Sequence, residues 1–251
     1  MPNKWNLQAA QFVSKESSRY TLNGIHVRSD ATVATNGHYL AWVSTSPDRK
    51  AEDFPLVDGV GPATDSYDPF LLDRDAALEI AKALPKKTTI PVLAYAAVSV
   101  EDGKTAITVT DLENPRTFRP RKMEGQFPRV EAVFPTKAPV VRFALSATYL
   151  AQIAKFAADF NAGREASDPV YITVYSPEDA VRFDVERSDT EQGATFLLMP
   201  IRMEKDDVPY TYGWKEREAA RVAEAAQKSE TEGTEAAAEA DTVEEPEVPA
   251  E

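Results

Sequence analysis

The stretch Val33–Ser44, "VATNGHYLAWVS", joins two runs of alternating apolar residues through Asn-Gly. Asn-Gly between such runs is a strong short-range hairpin signal, because both residues tolerate the positive φ of a tight turn. A lone hairpin fits many β-rich proteins, so its meaning depends on what surrounds it. Upstream, "WNLQAAQFVSK" puts Trp5, Ala9, Phe12 and Val13 on one helical stripe, followed by "YTLNGIHV" and "ATVAT" as short strands.

The same order then returns. "DPFLL" reads as a strand, and Asp73 as the N-cap of "RDAALEIAKAL", whose apolar side is Leu78, Ile80, Ala81 and Leu84 and which Pro85 helps to end. "TTIPVLAYAAVSV", "TAITVTD" and "RTFRPRKM" follow as strands, with Asp102-Gly103 as a tight turn. A third copy opens with "VVRFAL". Ser146 is positioned to cap "ATYLAQIAKFAADF", with Tyr149, Leu150, Ile153, Ala157 and Phe160 on one face. "PVYITVY", "AVRFDVE" and "ATFLLMPIR" close that copy; Val181, Phe183 and Val185 alternate with Arg182, Asp184 and Glu186. Strand, helix and three strands make a supersecondary unit that buries one face of each element, so such units must pack side by side. The first copy keeps at most Met1–Lys4 of an opening strand, and a Pro- and Asp-rich loop, 46–65, separates the first two copies.

Charge divides the 251-residue chain. Residues 204–251 hold 15 acidic and 5 basic residues, whereas 1–203 hold 26 and 23. The overall charge of −13 is mostly this tail, so the acidic balance does not exclude a basic nucleic-acid face on the body. Ala, Glu, Lys and Arg in 215–228 favour a helix; beyond Ser229 the composition predicts disorder, a solubilising or partner-binding tail. The chain has no cysteine, which excludes disulfides and cysteine-based metal sites. "MPNKWNLQAA" lacks a signal-peptide core, and no run approaches about 18 apolar residues. The expectation is a soluble, cytoplasmic protein with no membrane partner.

Catalytic patterns are sparse. His26 and His38 do not share a helical metal spacing, and no G-x-S-x-G elbow or phosphate loop occurs. "GVGPAT", Gly59–Thr64, lacks the G-K-[ST] that a phosphate loop needs, and Asp73 with Asp75 is accounted for by helix capping.

Three segments in order carry a resemblance. "AAQFVSKESSRYTLNGIHV" with "VATNGHYLAWVS" resembles the opening of the middle domain of the bacterial-type β sliding clamp of the replicative DNA polymerase. "MEGQFPRVEAVFP" resembles the close of that domain, and "ATFLLMPIRM" resembles the clamp's C-terminus. The resemblance covers about 1–203. It implies an α+β, DNA-clamp-like fold with helices on one face of antiparallel sheets: a two-unit domain over 1–136, a half-domain over 137–203 and the tail 204–251. Family members close into rings of about twelve units; three units per chain suit a self-associating homo-oligomer ring, a tetramer by that count or a dimer or trimer with other spacing, and a shortened, phage-encoded version.

The resemblance further implies a processivity factor without catalysis or cofactor, with duplex DNA, a polymerase and a clamp loader as partners. Carried over by position, a peptide-binding pocket comprises Leu22, Thr35, Gly37, His38, Leu40, Pro128, Val133, Leu197, Met199, Pro200, Ile201 and Arg202. The DNA-facing set is Lys15, Arg19, Tyr20, Arg74, Lys82, Lys86, Lys87 and Lys155. Asn36, Tyr39 and Ala132 depart from the family's usual Asp, Arg and basic residue, which bears on peptide selectivity. A clamp-like decoy or adaptor, which binds such peptides without encircling DNA, is the competing reading. A nucleic-acid-modifying enzyme on a similar unit is disfavoured by the lack of a metal or nucleophile cluster.

Overall fold

The computed structural model describes residues 1–202 except 47–48, 102–103, 122, 136, 138, 163–168 and 188–190. The Asp102-Gly103 turn and the tail expectations for 204–251 lie outside the described residues. Compactness separates a unit over Met1–Ala132 from one that begins at Val133.

In the first unit, helix α1 (Lys4–Gln8) runs into a 3-10 turn at Ala9–Phe12. Strands β1 (Gly24–Val27), β2 (Ala31–Thr35) and β3 (Leu40–Ser44) follow, then β4 (Phe70–Asp73) and helix α2 (Arg74–Ala83). Strands β5 (Ala97–Glu101), β6 (Lys104–Val109) and β7 (Arg116–Phe118) complete it. Two antiparallel sheets result, ordered β3-β2-β1-β4 and β5-β6-β7. The opening strand of the second copy crosses over to the first copy's sheet, with Ile25 opposite Leu72 and Val27 opposite Phe70. Reciprocally, the first copy's opening segment is reduced to a bridge of Asn3 with Tyr95, beside a bond from Ala96 N–H to the Pro2 carbonyl.

The sheet β3-β2-β1-β4 is covered on both faces, which explains why every residue of β2 is buried. Ile25, Val27, Ala34, Phe70 and Leu72 join Leu7, Ala10, Ala77, Ile80, Ala81 and Leu84 from the helices in the main core. On the other face, Val33 and Leu71 pack with Met123, Phe127 and Val130, so "MEGQFPRV" is laid across the sheet's back. Loop 46–65 is not free either: Ala51 and Phe54 are buried with Val92, Leu93 and Ala97.

The predicted stripe of the first helix is out of phase. Trp5 and Phe12 are exposed, while Asn6, Leu7 and Ala10 are buried with Ala9 and Val13. A capping box between Asn3 and Asn6 sets the helix start. The Asn6 amide, fully buried, donates to the Val43 carbonyl at 2.9 Å, a polar anchor that hydrophobic periodicity cannot reveal. "YTLNGIHV" and "TTIPVLAYAAVSV" are strand only at their ends; Ser17–Leu22 and Pro91–Ala94 form 3-10 turns.

In the second unit, helix α3 (Ala147–Phe160) packs on a sheet ordered β10-β9-β8, from β8 (Tyr171–Thr173), β9 (Val181–Arg187) and β10 (Gln192–Leu198). Val181, Phe183 and Val185 are buried as the alternation predicts. "VVRFAL" is not a full strand; only Ala144 bridges, to Ile201. Ser146 occupies the N-cap but its side chain accepts no capping bond, unlike Asp73, which accepts from Asp75 and Ala76 N–H. Tyr149 and Leu150 are exposed against expectation, because the sheet reaches only Ile153 and Ala157.

Candidate partner-binding site

Each unit carries part of the predicted pocket. In the first, Asn36–Tyr39 is a four-residue connection, since Thr35 pairs with Leu40. Gly37 takes φ 93°, a conformation that glycine adopts without a Cβ penalty. The Asn36 side chain accepts from His38 and Tyr39 N–H, and Thr35 Oγ1 accepts from Gly37 N–H while donating to the Tyr39 carbonyl at 2.6 Å. These bonds make a short loop rigid and hold His38 outward. Tyr39 packs edge-on against Phe12, ring centroids 5.7 Å apart.

Leu22 and Leu40 are half-buried against Val33, Leu71, Met123, Phe127 and Val130, an apolar floor behind the hairpin. Pro128 lies exposed in the same crossing segment, and Val133, 71% exposed, ends the following 3-10 turn. An electrostatic clasp secures this segment. Arg28 donates to Glu131 and, through Nε, to Asp30 at 3.0 Å, with its guanidinium 5.0 Å from the Trp42 ring centroid. The Glu131 carboxyl is held below its ordinary range by its own backbone N–H and by Arg28. His26 stacks on Phe127 at 4.8 Å; burial, then the nearby Arg28 charge, lowers its pKa. Sequence reading placed His26 only in a strand. The clasp has no sequence signal, since Arg28 and Glu131 lie 103 residues apart.

In the second unit, Leu197, Met199 and Ile201 are 68%, 64% and 53% exposed. They line an open groove of about 790 Å³ with Tyr149, Ile153 and Phe156 of α3. Pro200 has no N–H to extend the β10 ladder, so the strand ends at Leu198 and the chain resumes pairing at Ile201, whose N–H donates to the Ala144 carbonyl. Arg202 is exposed beyond it. Phe156 stacks on Phe160 and meets Phe196 edge-on. Sequence reading missed Phe156; its signal was an aromatic placed beside, not on, the buried stripe.

The predicted DNA-facing residues are scattered among acids. Lys15 and Tyr20 are exposed, and Arg19 lies in the 3-10 turn Ser17–Leu22 with its side chain outside the described residues. Helix α2 carries Arg74 and Lys82 but also Asp75 and Glu79, and Arg74 donates to Asp75 at 3.0 Å. On α3, Lys155 pairs with Asp159. Both helices are therefore charge-neutral. Lys86 and Lys87 are exposed just past α2. Among the described residues no helix is long and apolar enough to cross a membrane.

No protein-family model and no curated protein matches the chain. Solved structures do. A putative DNA polymerase III beta subunit from Eubacterium rectale matches with TM-score 0.51 at 10% identity over 81% of this chain and 50% of its own. The pol III beta of Caulobacter crescentus gives 0.52 at 16% identity, over 81% and 51%. DNA polymerase III subunit beta from Borrelia burgdorferi, solved in complex with a natural product, gives 0.50 at 15%, over 78% and 44%. The chain spans about half the length of these structures. Antiparallel sheets with helices on one face, shared at this level, give the chain the fold of the DNA polymerase III β subunit, a DNA-clamp-like fold.

Proposed function

We propose that the protein is a sliding clamp, a non-catalytic processivity factor that encircles duplex DNA as a homo-oligomeric ring. In this reading it tethers a DNA polymerase through a peptide groove and is placed on DNA by a clamp loader. The observation that supports this is the coincidence of a clamp-like fold with incompletely buried apolar side chains at the positions the family uses for peptides: half-buried Leu22 and Leu40 behind the hairpin loop, and exposed Met199 and Ile201 after the end of β10. An apolar groove with a flexible methionine suits several related peptides. Its work is topological, since a closed ring cannot leave DNA sideways. The cytoplasm as its site of action and a phage source are part of the same proposal.

The neutral faces of α2 and α3 favour a second reading, an adaptor that captures polymerase or loader peptides without encircling DNA. Phosphate contacts dominate non-specific DNA affinity, and neutral helices supply few of them. One experiment separates the two. The protein is loaded on nicked circular DNA with its loader, and the DNA is then linearised. A ring runs off the free ends; a side-binding protein stays or never loads. Met199→Asp abolishes binding of a polymerase C-terminal peptide with the fold intact, and unchanged affinity removes the groove from the proposal.

A further inference from the structure

From the opening segment through the helix, the second and third copies align in sequence with a shift of 73 residues. Phe70-Leu71-Leu72-Asp73 corresponds to Phe143-Ala144-Leu145-Ser146, and Ile80-Ala81-Lys82 to Ile153-Ala154-Lys155. The shift places each α3 residue against its α2 counterpart, and the pair differ in what covers them. On α2, Ala77, Ile80, Ala81 and Leu84 are all buried in a core shared with Leu7 and Ala10 of the sister copy. On α3 only Ile153 and Ala157 are buried; Leu150, counterpart of Ala77, is 40% exposed, and Ala154, counterpart of Ala81, is exposed. At 100° per residue, Leu150 and Ala154 lie on the flank of α3 away from the Tyr149–Phe156 groove.

The sheet has a matching gap. In the first unit, β1 receives β4 from the sister copy along its edge, and the segment before β5 receives Asn3. Strand β8 holds the place of β1 in its sheet. Among the described residues nothing pairs with its outer edge, and Tyr171, Ile172 and Thr173 are all exposed. Phe143–Ser146, the counterpart of β4, makes the single bridge at Ala144. Among the described residues the second unit thus has neither of the things that one copy gives its sister in the first unit: a helix against its helix and a strand along its sheet.

We propose that the second unit is completed by the same unit of a second copy of this chain about a two-fold axis. Helix α3 packs antiparallel on its counterpart through Leu150 and Ala154, and each Phe143–Ser146 extends the other's β8. An isologous contact needs a self-complementary surface. The helix meets that condition: its only charges, Lys155 and Asp159, neutralise each other in place, so two copies meet without like-charge opposition, and antiparallel helix dipoles attract. The inference specifies one interface of the proposed assembly but stands on the fold alone.

The test is the mass of the full chain in solution by light scattering and sedimentation at micromolar concentration. The expected mass is an even multiple of 27.6 kDa. Leu150→Arg, at an exposed position, weakens the association about 30-fold or more by burying two charges in the seam. Ala154→Arg does the same and carries the test should Leu150→Arg misfold. The chain has no cysteine, so oxidised Ala154→Cys gives a disulfide-linked dimer, while Glu178→Cys in the β8–β9 loop gives none. A monomeric wild type overturns the proposal. So does an oligomer indifferent to both arginines, which assigns the seam to another partner or face. Peptide binding by Leu150→Arg is unchanged, so loss of the seam and loss of the groove are read separately.

Discussion

Gly125→Ala tests whether the segment that backs the hairpin is held as described. Gly125 has φ 113°, a conformation open to glycine and strained for alanine. A Cβ there falls 2.5 Å from Thr21 Cγ2, well inside van der Waals contact. Two costs add: about 1–3 kcal/mol for the backbone and about 1–3 kcal/mol for the forced contact. The flanking Met123 and Phe127 are both buried, so the segment cannot swing outward without opening that face of the sheet. The expected loss is therefore about 2–6 kcal/mol, read as a lower midpoint in calorimetry or urea unfolding. Thr21→Ser removes the offending methyl and not the φ penalty, so the double variant recovers only the contact part. A cycle of the two substitutions should show coupling of about 1 kcal/mol or more. Peptide affinity should fall with Gly125→Ala, since Pro128 rides on the displaced segment. A Gly125→Ala protein within about 0.5 kcal/mol of wild type, in the usual range of neutral surface changes, refutes the argument.

Asn6→Ala removes the buried amide that bonds Val43 and leaves that carbonyl and the Asn3 N–H unsatisfied, so it should cost about 2–5 kcal/mol by chemical unfolding. Asp73→Ala should cost about 1 kcal/mol, and Ser146→Ala close to nothing, because only the first side chain caps its helix. His26 has a folded pKa below its ordinary 6.5, so protonation favours the unfolded chain; stability should be full above that value and decline as pH falls below it, levelling once the folded imidazole also protonates. His26→Gln should flatten this decline, whereas the Glu131 contribution, present above 4.5, is lost only at more acid pH as its lowered folded value is crossed. Lys86→Ala with Lys87→Ala should weaken DNA binding and lower its salt slope by about 2, while Lys82→Ala, one turn from Glu79 on a neutral helix, should change it less, as read by a fluorescence titration across salt.

Where periodicity met a one-sided environment, the sequence was readable. Val181, Phe183 and Val185 alternate because β9 has helix on one face and solvent on the other, and Asp73 caps because nothing else competes for it. The N-terminal helix was misphased for the opposite reason: a buried asparagine does the anchoring that a hydrophobe usually does, and Trp5 and Phe12 are left outside. Helix α3 was over-read because five apolar residues form a stripe that the sheet covers only in part. The groove residues Met199 and Ile201 came from resemblance, since an exposed apolar residue after a strand has no pattern of its own. The Arg28–Glu131 clasp depends on tertiary proximity and was out of reach.

The over-reading of α3 bears on assembly. A stripe wider than the surface that covers it is a defect in a finished domain but not in half of one. The first unit shows the finished state: each copy hides the other's excess, Ala77 and Ala81 of α2 against the sister helix, β1 against β4. Among the described residues the third copy keeps the stripe, a Phe143–Ser146 segment with a single bridge at Ala144 and an unpaired edge at β8, three features that the proposed second copy would cover together. Edge strands left bare are prone to unspecific pairing, which is the physical reason to look for a partner on β8, unpaired on its outer edge among the described residues and carrying exposed Tyr171 and Ile172. A ring made of such chains would owe one of its closures to the interaction that folds its own first domain.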